Sequence, residues 1–229
     1  MIGIIGAMQI EIEQIRAMLT ERESRVISGI EFVSGVLHGK RVVSAVCGIG
    51  KVAAAMCAQT MILTYSPQLV LNTGAAGSLS PKLGIGDIAI ASGVIQHDMD
   101  TTALGDAPGF ISGLGIIEMP CDKKAVEKLV ESVEELENTG FQVGIVASGD
   151  QFVSSDAEKE RIKKTFGAIV CEMEGGSIGQ VCFSNGVPFA VIRAVSDCAD
   201  GSSHMDYTEF LPLAAAKAAR ILSFMVKTA

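Results

Sequence analysis

Tryptophan is absent from this chain, tyrosine occurs twice and aromatics make up only 5% of it, so its core must be built from aliphatic side chains and alanine. Proline is also scarce, at 6 residues against 25 glycines, and no polar linker interrupts the 229 residues. One domain spanning 1–229 is therefore expected. Basic patches are missing and the formal charge is -8, which argues against nucleic acid or an anionic membrane as a partner, since both select clustered Lys and Arg. There is no long apolar span, and the opening Met1-Ile2-Gly3-Ile4-Ile5-Gly6 has no basic leader. It reads as a strand and not as a signal peptide, and a cytoplasmic location is expected. The cysteines (Cys47, Cys57, Cys121, Cys171, Cys182 and Cys198) form no CxxC pair, and most lie in apolar runs. That pattern suits buried free thiols in a reducing compartment. His38, His97 and His204 are far apart and no HExxH occurs, so no metal site is expected.

What the chain does have is an alternation of strand and helix signals. After the strand at 2–6, isoleucines at 10, 12 and 15 with Leu19 predict a helix from about Gln9 to Leu19. The β-branched runs 31–37 and 41–47, separated by His38-Gly39-Lys40, predict a hairpin. Gly48-Ile49-Gly50-Lys51 opens an Ala- and Met-rich helix to about Tyr65, and 69–72 reads as a short strand followed by a small-residue turn, Thr73-Gly74-Ala75-Ala76-Gly77. An extended segment runs from Gly86 to His97, and 98–120 reads as a long loop of the kind that serves function or partner contact. Beyond it come a charged amphipathic helix (122–138), a strand (143–147), a helix (156–165), two apolar strands around 169–172 and 191–197, and a C-terminal helix from about Asp206. This order predicts an α/β fold with a mixed sheet.

The chemistry is concentrated where apolar strands end in charge. Ile169-Val170-Cys171 runs into Glu172-Met173-Glu174, and Val191-Ile192 runs into Arg193-Ala194-Val195-Ser196-Asp197. Charges at the end of a buried strand have to be paired or used. Glu172 and Glu174 share a side if the strand continues and separate if the chain turns at Met173. One of them could simply satisfy a helix N-terminus, as could Glu11, and Asp197 could be a plain ion-pair partner of Arg193. Gly48-Ile49-Gly50-Lys51 has neither the spacing nor the Ser/Thr of a phosphate loop, and Gly3-Ile4-Ile5-Gly6 lacks the glycine spacing of a dinucleotide site, so both read as close-packing turns.

Taken together, Gly3–Met8 with Glu11, Cys47–Val52, Asn72-Thr73-Gly74, Ser148-Gly149-Asp150, Glu172-Met173-Glu174 and Arg193–Asp197 resemble the 5′-methylthioadenosine/S-adenosylhomocysteine nucleosidases. The blocks fall in that family's order and span nearly the whole chain. The resemblance implies a nucleoside phosphorylase-like fold, with a mixed, partly closed sheet surrounded by helices, in a homodimer whose loop 100–110 approaches the partner's pocket. It also implies hydrolysis of an adenine N-glycosidic bond, a place in methionine salvage, and no cofactor or metal. By resemblance, Asp197 is the acid that protonates adenine nitrogen 7. Glu11 is the base for water, Glu174 binds the ribose hydroxyls and faces the developing cation, and Arg193 lies near the water and sugar oxygens. Phe152 stacks on adenine and the backbone of Val153 reads its edge. Met173 supports the sugar, and Met8, Ile49, Ala75, Glu172, Ser196 and Tyr207 complete the substrate site.

Two departures from the family pattern stand out. Ala75 stands where a serine is usual, which removes a hydroxyl from the water site, and Leu104 and Asp106 stand where aromatics are common, which bears on the 5′ substituent. The rival readings are a purine nucleoside phosphorylase, which needs fixed cations for phosphate, and a non-catalytic nucleoside-binding protein of the same fold.

Overall fold

The computed structural model describes residues 1–136, 139–197 and 203–228, with the side chains of Asp197 and of 203–209 outside that description. Ten strands share one sheet. They are β1 (Ile2–Gly6), β2 (Thr20–Ile27), β3 (Ile30–Leu37), β4 (Lys40–Val46), β5 (Leu69–Ser78), β6 (Ile88–Gln96), β7 (Met119–Pro120), β8 (Phe141–Ser148), β9 (Val170–Glu172) and β10 (Phe189–Asp197). The helices are α1 (Gln9–Met18), α2 (Lys51–Tyr65), α3 (Lys123–Leu136), α4 (Asp156–Phe166), α5 (Gly175–Ser184) and α6 (Ser203–Thr228).

The long strand β5 decides the architecture. Its first residues pair in parallel with β1 (Ile2 opposite Leu69, Ile5 opposite Asn72), and its last two pair antiparallel with β9 (Gly77 opposite Cys171). Along its other edge it pairs in parallel with β10 from Val70 to Gly77. β10 is antiparallel to β6, β6 is parallel to β8 and β8 is parallel to β9. The path therefore returns to β5, closing a ring of strands, while β1, β4, β3 and β2 extend outward from it. This is the mixed, partly closed sheet that the resemblance implies. The outermost strand, β2, is exposed almost throughout and carries Glu21, Arg22, Glu23 and Arg25, charges that discourage edge-to-edge pairing.

One expectation fails here. The small residues 73–77 are not a turn but the second half of β5. Alanine and glycine are weak strand formers on their own, yet this stretch is held by β10 on one side and β9 on the other. The lack of side chains has a packing cause, because a Cβ on Gly74 would collide with the Arg193 guanidinium and the Glu11 carboxylate. The strand at 20–27 carries no apolar alternation and has no signature in the sequence. The last helix begins at Ser203, before the expected Asp206.

Apolar burial follows the sheet. Ile4, Ile12, Ile15, Leu71, Ile192 and Leu222 pack on one side with α1 and α6. Ile5, Phe32, Met61, Val94, Ile178 and Val191 pack on the other with α2 and α5. The amphipathic α3 buries Ala125, Leu129 and Val133 and keeps its charged face outward. Helix α5 lies unusually close to the sheet: a Cβ on Gly176 would meet the Ile95 carbonyl and the Ser148 side chain.

Candidate active site

The segments that follow β1, β8 and β9 meet the second half of β5 and the end of β10 around a cavity of about 360 Å³, within the size range of small-molecule sites. Ten of the substrate and catalytic candidates from the sequence line this cavity. Glu11, Met8, Ile49 and Ala75 form one part of the wall, Phe152 and Val153 another, and Glu172, Met173, Glu174 and Ser196 the rest. Arg193 is buried behind the carboxylates. The side chains of Asp197 and Tyr207 lie outside the described residues, as do Cys198 and His204. The main chain of Asp197 ends β10 opposite Gly77, after a register shift beyond Val195, and Gly77 lines the cavity. Irregularities of this kind re-aim side chains next to sites.

Glu11 sits in the first turn of α1. Its Oε2 accepts the N–H groups of Ala7 (2.7 Å) and Met8 (2.9 Å), and its Oε1 accepts that of Ala75 (3.2 Å). The helix-terminus reading of Glu11 therefore describes part of what it does. At position 75 the backbone contributes a donor although the serine hydroxyl is missing. Burial pushes the Glu11 pKa up, against the lowering influence of Arg193 and of these N–H groups.

Glu172 and Glu174 take different parts. Glu172 accepts from Ser148 Oγ, from Arg193 Nη2 and from the N–H groups of Glu174 (3.0 Å) and Gly175 (2.8 Å). It is the carboxylate that satisfies a helix N-terminus, and its oxygens are engaged by the protein. Glu174 is the N-cap of α5. The chain turns at Met173, yet both carboxylates converge on Arg193. Glu174 Oε1 accepts the Gly50 N–H at 2.9 Å, and Oε2 lies 3.7 Å from Arg193 Nη2. Burial first, and the Glu172 charge second, push Glu174 up to about 7, against Arg193 and the Gly50 N–H.

Arg193 is 1% exposed. Burial works against its charge, but Glu172, Glu174 and Glu11 outweigh this and raise its pKa. Its ion-pair partners among the described residues are Glu172 and, at 3.7 Å, Glu174. Asn72 meets the same nitrogen, accepting from Nη2 at 2.5 Å and donating to the Ile5 carbonyl at 3.0 Å. Asn72 and Ser148 are functional supports to which the sequence assigned no role. The available signal was a lone polar residue ending the apolar run Leu69-Val70-Leu71. Gly48-Ile49-Gly50-Lys51 is a helix entry whose N–H groups take the carboxylates of Glu174 and Asp150. Among the described residues no three His, Cys, Asp or Glu side chains group as a metal site would.

The raised Glu174 pKa has a measurable effect on stability. Between about pH 4.5, its ordinary value, and about 7, the folded protein keeps a proton that the unfolded chain releases. Stability from this group is therefore lost as pH rises through that window, by at most about 3 kcal/mol. His97, whose pKa burial lowers from 6.5, acts in the opposite direction, so the comparison must isolate Glu174. The Tm of the wild type minus that of Glu174→Gln, measured by differential scanning fluorimetry, should increase as pH falls from 8 to 5.5. A flat difference contradicts the assignment.

The Phosphorylase superfamily profile matches residues 1–227. The chain is 37% identical over 227 residues to the 5′-methylthioadenosine/S-adenosylhomocysteine nucleosidase of Staphylococcus aureus strain JH9, covering 99% of each. It superimposes with a TM-score of 0.96 on the Neisseria meningitidis nucleosidase of that name in complex with methylthio-immucillin-A, at 35% identity, covering 100% of this chain and 99% of the other. A futalosine hydrolase of Helicobacter pylori superimposes with a TM-score of 0.95 at 36% identity, over 100% of this chain and 97% of the other.

Proposed function

Because the chain belongs to the 5′-methylthioadenosine/S-adenosylhomocysteine nucleosidase family of the phosphorylase superfamily, we propose that it hydrolyses the N-glycosidic bond of 5′-methylthioadenosine, S-adenosylhomocysteine or both. The products are adenine and the 5-thio-substituted ribose. One observation carries the choice of water as acceptor: the described lining of the cavity includes Glu11 and Glu174 and no Lys or Arg. Phosphate needs fixed cations, whereas a buried carboxylate with a raised pKa can accept a proton from water.

Cleavage builds positive charge on the ribose and negative charge on the departing base. We assign Glu174 to the ribose hydroxyls and the cationic face of the sugar, because its Oε2 is not engaged by a short hydrogen bond among the described residues. Glu11 activates water, and Ala75 and the N–H groups of Ala7 and Met8 fix its carboxylate. Phe152, which is 45% exposed, offers a ring face to adenine, with the Val153 backbone at the base edge. Asp197 donates the proton to nitrogen 7. What supports this is its place at the end of β10 beside Ser196 and opposite Gly77, both part of the cavity wall. Acid and base then act from opposite sides of a cationic sugar, as in glycosidases. Arg193 acts as a positioning residue, holding Glu172 and Glu174. Met173 and Ile49 supply apolar contact to the sugar and its substituent, and Tyr207 is assigned to the 5′ side.

The test is release of the free purine base, followed side by side on 5′-methylthioadenosine, S-adenosylhomocysteine, inosine and futalosine, with and without phosphate. Release from the first two without phosphate, and no ribose-1-phosphate with it, is the expected result. Ribose-1-phosphate formation would establish a phosphorylase, and no release from any of the four would leave a binding protein.

A homodimer is part of this proposal. Val52, Met56 and Leu63 of α2 are 71%, 48% and 74% exposed, beside Ile49 at the cavity rim (61%), and Leu104 in the loop 100–110 is 83% exposed. Apolar residues recurring at these spacings on one helix suit burial against a second copy. Light scattering after gel filtration should give twice 23.9 kDa, and Val52→Glu with Met56→Glu should give the single mass. We also place the protein in the cytoplasm. The described cysteines are buried, and among the described residues no helix is long and apolar enough to cross a membrane.

A further inference from the structure

Lys51 follows the Gly48-Ile49-Gly50 stretch and has no part in the chemistry above. Its main-chain N–H donates to Asp150 Oδ1 at 2.6 Å, and its ammonium donates to Asp98 Oδ1 at 2.7 Å. The Asp150 N–H donates in turn to Asp98 Oδ2 at 2.9 Å. Three residues from the entry of α2, the segment after β6 and the segment after β8 thus close a ring. The ammonium also donates to Gln96 Oε1 at 3.2 Å, and Gln96 Nε2 donates to Gln180 Oε1 of α5 at 2.5 Å.

The ring borders the cavity on two sides. Gly50, immediately before Lys51, donates its N–H to Glu174. Gln151, Phe152 and Val153, immediately after Asp150, are cavity wall. Helix α5, reached through Gln96 and Gln180, has Glu174 as its N-cap. None of Lys51, Asp98 and Asp150 lines the cavity.

We infer that Lys51, Asp98 and Asp150 form a positioning ring that keeps the Glu174 carboxylate and the Phe152–Val153 wall at a fixed separation, so that sugar and base are gripped in register. This rests on the reading of the cavity given above. Stability alone is a poor explanation for the ring. The Lys51 and Asp98 side chains are 18% and 29% exposed, and such pairs typically contribute about 1 kcal/mol or less. Misplacing reacting groups by about 1 Å, in contrast, costs a rate on the order of a hundredfold. Burial opposes the charge on Asp98, but the Lys51 hydrogen bond and the Asp150 N–H hold its pKa below the ordinary value, so Asp98 is charged at neutral pH.

The experiment compares Lys51→Met, Asp98→Asn, the double variant and Lys51→Arg with the wild type. It reads kcat and KM for adenine release from 5′-methylthioadenosine, and Tm. Each of the first two variants should lose about tenfold in kcat/KM, with a fall in kcat as well as a rise in KM, while Tm shifts by about 2 °C or less. The double variant should be no worse than the poorer single one, because one ring can be broken only once. Lys51→Arg, which keeps a donor and the charge, should recover most of the loss. Unchanged kcat/KM, losses that multiply in the double variant, or losses that follow a falling Tm overturn the inference. Should Lys51→Met fail to fold, Asp98→Asn, which keeps the side-chain shape, carries the comparison. If the wild type releases no adenine, the catalytic reading fails, and the ring is judged on calorimetric affinity for adenine alone. Weakening of about tenfold in Asp98→Asn sustains it, and equal affinity ends it.

Discussion

Arg193→Met should destabilise the protein by about 3–5 kcal/mol near pH 8, the usual cost of removing one partner from a buried charge cluster. The guanidinium is 1% exposed and sits against Glu172, Glu174 and Asn72, and its charge opposes the rise that burial causes in the Glu11 pKa. Methionine fills much of the volume, so the loss is electrostatic and not a cavity effect. Without the cation, Glu11 and Glu174 lose an influence that lowers their pKa values, and protonation becomes the cheapest relief. The deficit should therefore shrink toward pH 6. Urea unfolding of wild type and variant at the two pH values measures it. A difference below about 1 kcal/mol at pH 8 would show that the cluster is not held by its central charge.

Glu11→Gln should bind 5′-methylthioadenosine with nearly unchanged affinity and lose about two to four orders of magnitude in kcat, the range for removal of a general base. The amide oxygen can still accept the N–H groups of Ala7 and Met8 that now meet Oε2, so the turn after β1 keeps its form. What disappears is a group able to take a proton. Asp197→Asn should lose at least about two orders of magnitude for the complementary reason, loss of the proton delivered to the base. Stopped-flow binding followed by single-turnover adenine release separates the two steps. If Glu11→Gln turns over at the wild-type rate, Glu11 is not the base. If Asp197→Asn does so, the acid must be sought elsewhere on the wall.

Both residues are candidates from the amino-acid sequence because each belongs to a block of several residues whose types suit the chemistry. Glu11 follows a Gly-Ala-Met turn, and Asp197 ends an apolar strand. The order of the blocks carries the family resemblance, and hydrophobic periodicity carries most strands and helices. The pairing of strands is less accessible. Nothing local in Thr73-Gly74-Ala75-Ala76-Gly77 distinguishes a turn from a strand pressed between β9 and β10 around Arg193. Likewise, nothing in Glu172-Met173-Glu174 tells which carboxylate is used up by a helix terminus and which is left for a ligand.

Local pattern alone established an alternating α/β chain with an aliphatic core and acids at its strand ends, because side-chain period and residue chemistry are properties of neighbours along the backbone. Closure of the sheet through β5, the engagement of Glu172 by Arg193 and Ser148, and the hydrogen bond from Gly50 to Glu174 were decided only in three dimensions. Those contacts join residues 21 to 124 positions apart, and charge burial takes its sign and size from what surrounds a group in space.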